Sequence, residues 1–311
     1  MFTVMGTTSK KSLYESLLNG HGKLRKPGAT TYLRPRTREI EQRELLSEFS
    51  SVDGADDPQS LIRFLDQTTG NPQYRASQQA LIQMFSPGKG ARLLDVGCGI
   101  GHDAFALGET VGNKGQVIGI DASQLLLNEA RKRAKELPIN VEFFLGDAQQ
   151  LEFPDRTFDG CWASRVFMHL PNPPKAAREM FRVLKSGGTI LSLEADWDTL
   201  VITTGSARRS TMLRRLLQNS IRHPGMGHAL PVIFKEAGFR DIAVGAGTYV
   251  FSDLAQANLA WRIVPTVALA VKAGKLSGQK AETLLQELAE DNTAGKFFGA
   301  ATGFYIMGIR P

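Results

Sequence analysis

The stretch Leu93–Asp103, LLDVGCGIGHD, decides the fold. It places Gly97, Gly99 and Gly101 at alternate positions directly after an apolar run that contains Asp95. A glycine-rich turn between a strand and a helix lets a ligand approach the backbone, because no Cβ stands in its way. The sequence therefore predicts a ligand site at this turn.

The pattern on both sides of this turn alternates between apolar runs of strand length and helical stretches. Such apolar strands predict a parallel sheet that helices cover on both faces. We expect an α/β fold with a doubly wound, Rossmann-like, seven-stranded sheet, an N-terminal helical extension and helical cap insertions. The ligand is expected beyond the carboxyl ends of the strands, where their order reverses. The predicted strands are ARLLDV, QVIGID, VEFFLGD, FDGCWAS, GTILSLEAD, IAVGAGTYVF and ATGFYIMGIR.

The spacing of the glycines separates two kinds of cofactor. A dinucleotide site usually has the pattern G-x-G-x-x-G, so that a pyrophosphate sits at the helix N-terminus. Here the glycines alternate, and Asp95 precedes them. An acid at this position repels a pyrophosphate and attracts an ammonium group. We therefore expect a cofactor with a positive amine, and a nicotinamide-dependent oxidoreductase is the disfavoured alternative.

These residues resemble the first motif of the class I S-adenosylmethionine (SAM)-dependent methyltransferases, and the resemblance covers about residues 75–195. Asp121 ends VIGID, where the family places an acid that accepts hydrogen bonds from both ribose hydroxyls. GDAQQLEFPDRTFD looks like the family's adenine-binding segment, with Asp147 and Ala148 as the contacts. REMFRVLKSGGTILSLE is similar to the family's turn into the fifth strand. The resemblance is closest to the small-molecule branch, which includes ubiquinone and menaquinone C-methyltransferases and many natural-product methyltransferases.

The resemblance implies that SAM is the cofactor and S-adenosylhomocysteine the product. We expect the Arg75 guanidinium to pair with the methionine carboxylate in a two-pronged bond, with a surface ion pair as the alternative. The expected cofactor-binding residues are Arg75, Asp95, Gly97, Gly99, Gly101, Asp121, Ala122, Asp147, Ala148 and Ser164.

Catalytic residues are expected after the fourth and fifth strands. In related natural-product methyltransferases a histidine after the fourth strand acts as base and an acid after the fifth strand orients it. The matching residues are His169 in SRVFMHLPNP and Asp196 in LEADWD. Histidine titrates near neutral pH, which suits a base. His223 is a second candidate base, and structural roles for His169, His223 and His228 stay open.

The acceptor is expected to be a small organic molecule. Trp162, Phe167, Trp197 and Trp261 form either an apolar wall for an aromatic or terpenoid-like acceptor or part of the core. The catalytic region has no basic stripe with stacking aromatics and no Asn-Pro-Pro-Tyr motif, which disfavours nucleic acid and amide-nitrogen acceptors. We predict O-, N- or C-methylation in secondary-metabolite biosynthesis. The alternatives are a quinone-precursor C-methyltransferase and a SAM-binding scaffold that does not transfer methyl groups.

Composition bounds the class of protein. The 311 residues are 42% hydrophobic and 22% charged, as in ordinary globular proteins. Because the chain lacks an apolar run of about 18 residues and the order of a signal peptide, we expect no membrane span and a cytoplasmic location. The only cysteines are Cys98 and Cys161, so the sequence predicts neither a disulfide framework nor a metal site.

The N-terminal segment predicts helices joined by a basic connector. KKSLYESLLNG places Leu13, Tyr14, Leu17 and Leu18 on one helical stripe. A helix this short must bury its stripe against another surface. That surface is either the main body or a second subunit, so a homodimer or larger homo-oligomer through this helix is one of the two expectations.

Three regions follow from these patterns. Residues 1–70 are the N-terminal helical extension or lid, residues 71–200 the SAM-binding Rossmann-like core, and residues 201–311 the acceptor-binding helical elaboration with the closing strands. Within the last region, Asp253 to about Glu290 predicts two helices.

Deletion of residues 1–30 tests whether the extension is a lid over the acceptor pocket. A lid excludes water and fixes the acceptor. SAM affinity is therefore expected to stay nearly intact while turnover falls by roughly tenfold or more. Calorimetry and initial rates measure the two quantities. A truncated enzyme that works at the full-length rate contradicts the lid and leaves the helix a packing role.

Overall fold

The computed structural model of the chain describes residues 52–54 and 57–311, and a mixed sheet forms the central layer of this part. The strands are β1 Arg92–Val96, β2 Gln116–Asp121, β3 Val141–Leu145, β4 Phe158–Ser164, β5 Leu184–Thr203, β6 Arg240–Phe251 and β7 Phe298–Ile309.

Helices flank this sheet and connect its strands. A 3-10 turn at Val52–Gly54 precedes the first helix, and a second follows β4 at Phe167–His169. The α-helices are α1 Pro58–Gly70, α2 Pro72–Phe85, α3 His102–Val111, α4 Gln124–Ala134, α5 Pro173–Val183, α6 Ala207–Asn219, α7 Met226–Ala237, α8 Leu254–Trp261, α9 Ile263–Lys272 and α10 Gly278–Thr293.

The sheet has the order β3-β2-β1-β4-β5-β7-β6. Strands β1 to β5 pair in parallel, whereas β7 lies antiparallel between β5 and β6. Because β2 and β4 lie on opposite sides of β1, the order reverses between β1 and β4. The predicted α/β, Rossmann-like, seven-stranded sheet is confirmed, and its switch point lies at the glycine turn.

Local sequence explains where the helices begin and end. The Ser123 hydroxyl accepts a hydrogen bond from Leu126 N at 3.1 Å and caps α4. Asn172 caps α5 in the same way, ahead of two prolines. The expectation of two helices after Asp253 is wrong, because Arg262 adopts a left-handed backbone with φ +51° and separates α8 from α9. A third helix, α10, then begins behind the Ser277 cap.

The fifth strand runs across the predicted boundary at residue 200. It pairs with β7 along most of its length, and its register shifts between Asp196 and Val201. A bulge of this kind bends the strand and redirects its side chains. Asp196 and Trp197, which are neighbours on the chain, are both buried, as is the run Ile190 to Glu194 before the bulge.

Some expectations concern residues that the structure does not describe. Leu13, Tyr14, Leu17 and Leu18 lie outside the described residues, so the predicted N-terminal helix and its docking stay predictions. Among the described helices, none alone has the length and apolarity of a membrane span. Helices α8 and α9 have that length and apolarity only when they are taken together, and they are bent by 61° relative to each other.

Candidate functional site

A cavity of about 720 Å³ opens at the carboxyl ends of the parallel strands. Its size is typical of small-molecule sites. The glycine turn and the ends of β2 and β4 form one side, and residues of β6, β7, α8 and α9 form the other. The predicted site residues that line it are Gly97, Gly99, Asp121, Ala122, Asp147, Ala148, Ser164, His169 and Asp196.

The glycine turn presents its backbone to this cavity. Gly97 and Gly99 have left-handed backbones, with φ +69° and +54°. A Cβ on Gly99 would meet only Leu65 Cδ1, at 3.7 Å, so the space beside Gly99 belongs to the cavity. A Cβ on Gly97 would instead collide with Val166. Gly99 therefore leaves room for a ligand, whereas Gly97 leaves room for the segment that follows β4.

Asp121 joins the end of β2 to this turn. Its carboxylate accepts hydrogen bonds from Gly99 N at 2.9 Å and from Ser123 N at 2.8 Å. Burial raises the pKa of Asp121, and these backbone donors oppose the rise. A carboxylate offers about four acceptor positions, and a backbone hydrogen bond from Ala122 also acts on this one. Acceptor capacity therefore remains for a ligand in the cavity, and the role of Asp121 at the ribose stays a prediction.

Three predicted cofactor residues do not line the cavity, and two of them, Asp95 and Gly101, belong to the glycine motif. Asp95 is only 1% exposed beneath the turn, and desolvation raises its pKa well above the ordinary value. The expected direct contact between Asp95 and an ammonium group is therefore not present in this geometry. Gly101 begins α3, and its absent Cβ leaves space for Phe105 and Phe143, whose Cζ atoms would lie 2.7 and 2.8 Å away.

The guanidinium at the site is not the expected one. Arg75 is exposed on α2, outside the cavity lining, and its Nε donates to Thr69 O at 3.1 Å. Arg165 lines the cavity instead, beside Tyr74. Arg75 does not reach the cavity because Tyr74, not Arg75, occupies the inward face of α2. The position of Arg165 directly after a predicted strand end was the signal available in the sequence.

Residues 165–169 form the segment that follows β4. The buried Glu194 carboxylate accepts hydrogen bonds from the backbone N–H groups of Val166, Phe167 and Met168, at 2.9, 2.8 and 3.3 Å. Burial raises the pKa of Glu194 to about 7, although these three donors oppose the rise. Sequence analysis did not single out Glu194, because its partners lie 26–28 residues away along the chain.

His169 lies on the cavity wall at the end of this segment. Burial, together with the positive charges of Arg165 and Arg222, lowers the pKa of His169 to about 4. His169 is therefore neutral at physiological pH. The expected partner is wrong, since Asp196 does not orient His169.

Asp196 pairs with a different histidine. Its Oδ2 atom lies 2.6 Å from His228 Nδ1 and accepts from His228 N at 2.9 Å. Asp196 is fully buried, whereas the His228 side chain is 61% exposed. Ligand-type atoms of Asp196, Asp198 and His228 lie within 4.8 Å of one another, a spacing the sequence analysis did not anticipate.

His223 has a structural position. Its Nε2 lies 2.9 Å from Leu170 O and its backbone N donates to Met168 O at 3.1 Å. It does not line the cavity, and burial lowers its pKa. The hydrogen bond to Leu170 O occupies the His223 side chain outside the cavity, so His223 is not positioned as a base. The same bond stabilises the turn after His169.

The remaining predicted residues lie where the resemblance places the adenine. Asp147 is exposed, and its Oδ1 accepts from Gln149 N at 2.8 Å within its own turn. Ala148 is buried beside it, and Ala122 follows Asp121 on the wall. Asp147 therefore stabilises its own turn and also lines the cavity.

Only half of the predicted aromatic wall faces the cavity. Trp197 and Trp261 line it, and Trp261 packs edge to face on Phe251 with ring centroids 5.0 Å apart. Trp162 instead donates from Nε1 to Asp103 Oδ2 at 3.0 Å, and Phe167 packs in the core. The wall therefore belongs to β5, β6 and α8.

The 3-10 turn at Val52–Gly54 and α1 together form a cover over the glycine turn. At one end Asp53 accepts hydrogen bonds from Ser123 Oγ and from Gln124 N, at 2.9 Å for the latter, which anchors it to the N-terminus of α4. At the other end Asp66 bonds Arg133 Nη1 at 2.6 Å and His102 Nε2 at 3.0 Å. Two carboxylates therefore attach this cover to α3 and α4.

Comparisons with known proteins agree with this geometry. The sequence family described as a methyltransferase domain matches residues 87–238. The chain is 31% identical over 192 residues to a demethylmenaquinone methyltransferase of Staphylococcus epidermidis, a match that covers 57% of this chain and 79% of the relative. The chain belongs to the SAM-dependent methyltransferases.

Other similarities are consistent with this family. A 37.1 kDa protein in transposon Tn4556 of Streptomyces fradiae, described as uncharacterized, is 32% identical over 247 residues, or 79% of this chain and 70% of that protein. The YcgJ protein of Bacillus subtilis shares the fold with a TM-score of 0.53 at 22% identity, covering 76% of this chain and 98% of that structure.

The residues present fit SAM as the cofactor of this methyltransferase. The open space at Gly99 admits a ligand against the backbone, and Asp121 retains acceptor positions at the cavity wall. Asp147 and Ala148 lie beyond Asp121 on the same wall. These residues would hold the methionine, ribose and adenine parts in that order along the strand ends. The nicotinamide alternative is thereby dismissed.

Replacement of Asp121 by alanine is expected to weaken SAM binding by about 2–4 kcal/mol, because a charge-assisted pair of hydrogen bonds is lost. Calorimetric titration with S-adenosylhomocysteine measures the loss, and thermal melting checks that the fold persists. Asp147→Ala is the matched control, with a smaller loss expected because Asp147 is exposed. An unchanged dissociation constant for Asp121→Ala contradicts the assignment.

The neutral state of His169 predicts a pH-dependent stability. The folded protein holds the pKa of His169 near 4, below the ordinary 6.5, so between these values the unfolded chain binds the extra proton. The free energy of unfolding should therefore fall as pH drops through this window, by up to about 3 kcal/mol from this group. Urea titrations from pH 4 to 7 should show a shallower dependence for His169→Gln. Parallel curves for the two proteins would indicate that folded His169 is readily protonated.

Proposed function

We propose that this methyltransferase transfers the methyl group of SAM to a small, largely apolar organic acceptor of secondary metabolism, at an oxygen, nitrogen or carbon atom. The observation that carries the proposal is the continuity of the cavity. The space beside Gly99 extends without interruption to the aromatic wall of Trp197, Phe251 and Trp261. One chamber thus offers both a cofactor side and an apolar side.

The proposed division of labour follows the predicted regions. Residues 71–200 contain the cofactor side, and residues 201–311 supply β6, β7, α8 and α9 for the acceptor side. Leu259, Ala260 and Trp261 of α8 line the cavity. An apolar pocket with few polar groups selects an acceptor by shape and burial rather than by charge alone.

Methyl transfer requires little from the chain beyond alignment of the acceptor atom with the methyl group. SAM supplies an already activated methyl group when bound. The chain's own residues orient the acceptor, exclude water with the cover, and accept a proton where the acceptor atom carries one. His169, neutral and on the cavity wall, is the residue we propose for that proton.

A quinone-precursor C-methyltransferase is the second candidate. Its support is the 31% identity with a demethylmenaquinone methyltransferase. An aromatic hydroquinone ring suits the same apolar wall.

We also propose a cytoplasmic location, in keeping with the two buried free cysteines. Association through the N-terminal helix stays a prediction.

Methyl transfer from labelled SAM to a panel of phenols, indoles and quinols tests the proposal. A product with phenols or indoles supports the first candidate, and a product only with naphthoquinols supports the second. Mass spectrometry of the product identifies the methylated atom. SAM binding without turnover on any member of the panel contradicts both candidates and favours a scaffold.

A pair of tryptophan substitutions on α8 tests the acceptor side directly. Ala260 lines the cavity, whereas Ala255 is exposed one turn earlier on the same helix. Ala260→Trp is expected to lower kcat/KM for the acceptor about tenfold or more while SAM affinity stays unchanged, because an indole fills acceptor space. Ala255→Trp is the control and should leave both quantities within about twofold. Equal activity of the two variants contradicts the placement of the acceptor.

A further inference from the structure

Arg165 places a guanidinium in a mostly apolar cavity. Its backbone is left-handed, with φ +60°, a conformation that costs a non-glycine residue free energy and is characteristic of functional sites. The Arg165 N–H donates to Leu193 O at 2.7 Å, and Glu194 holds the residues that follow. The fold therefore maintains a strained backbone that directs this side chain to the cavity.

The orientation of the guanidinium is determined by one aromatic ring. The Arg165 Cζ atom lies 5.0 Å from the centre of the Tyr74 ring, and Nη2 donates to Tyr74 Oη at 3.3 Å. Stacking of this kind stabilises a cation and orients its plane. The remaining N–H groups of Arg165 have no protein acceptor within the described part of the chain.

Nearby carboxylates do not occupy these donors. Asp103 and Glu194 interact with Arg165 electrostatically, which helps to keep the buried charge. However, Asp103 accepts its hydrogen bonds from Gln78 and Trp162, and Glu194 accepts its bonds from backbone N–H groups. Arg165 is thus a half-buried cation beside Tyr74, with donors that no protein acceptor occupies among the described residues.

The positive charge of SAM favours an anionic partner for Arg165. SAM carries a sulfonium, and two positive charges in one cavity repel each other. An oxyanion beside Arg165 reduces this repulsion and satisfies the guanidinium in a two-pronged bond.

We propose that Arg165, stacked on Tyr74, binds an organic oxyanion inside this cavity. The oxyanion is either the methionine carboxylate of SAM or the carboxylate, enolate or phenolate of an acidic acceptor. The first source requires only the cofactor, whereas the second rests on the proposed function. In the first case Arg165 takes the role that the sequence predicts for Arg75.

Two pairs of ligands that differ in a carboxylate distinguish the sources. The first pair is S-adenosylhomocysteine and its decarboxylated analogue, 5′-deoxy-5′-(3-aminopropylthio)adenosine. The second pair is 1-naphthoate and neutral 1-naphthamide, titrated in the presence of saturating S-adenosylhomocysteine. Calorimetry gives the dissociation constants for the wild type, Arg165→Met and Arg165→Lys. Arg178→Met, which replaces an exposed arginine of α5 outside the cavity lining, is the control.

Arg165→Met is expected to weaken at least one carboxylate ligand about tenfold or more and to weaken the analogue without the carboxylate by less than about twofold. The pair that responds identifies the source. Arg165→Lys should recover part of the affinity, since it keeps the charge but not the fork. Arg178→Met should leave all four constants unchanged.

The proposal is overturned if both carboxylate ligands bind Arg165→Met as tightly as the wild type. It is also overturned if each carboxylate ligand and its analogue without the carboxylate lose affinity equally, which indicates a packing role. If wild type does not bind 1-naphthoate, the cofactor pair alone decides. If thermal melting shows that Arg165→Met is unfolded, Arg165→Lys decides by the same comparison. The readout is binding, so lack of turnover on every acceptor counts against the proposed function only.

Discussion

The site depends on one buried carboxylate. Glu194 at the end of β5 accepts three backbone hydrogen bonds from the segment after β4. A buried charge is tolerated only where such donors compensate for lost hydration. This bond set holds Arg165 in its left-handed conformation, sets Val166 against Gly97, and brings His169 to the cavity wall. The glycine turn and the segment after β4 therefore form one unit.

The two sides of the cavity differ in how they are built. On the cofactor side, backbone groups and carboxylates converge because parallel strands end at one edge of the sheet. On the acceptor side, the antiparallel β7 joins β6 to the sheet, and α8 and α9 complete the wall. A rigid cofactor side beside a wall of separate helices allows one fold to serve different acceptors.

The cover links the cofactor side to its surroundings. Asp53 holds the N-terminus of α4, and Asp66 joins His102 with Arg133. Leu65 of the same cover stands above Gly99. Since a ligand against Gly99 lies beneath this cover, the ion pairs that anchor the cover also control how the cofactor is enclosed.

The sequence by itself determined the sheet, the switch point, the glycine turn and the position of Asp121 at the end of β2, because these depend on local patterns of apolar runs and turn residues. Tertiary structure alone decided which charged side chains meet. Arg75 and Arg165 are 90 positions apart, and only the inward face of α2 shows which of them reaches the cavity. Likewise Asp196 bonds His228 rather than His169, because a bulge in β5 and the start of α7 bring those two together. Pairing across such distances follows from packing, which no local pattern encodes.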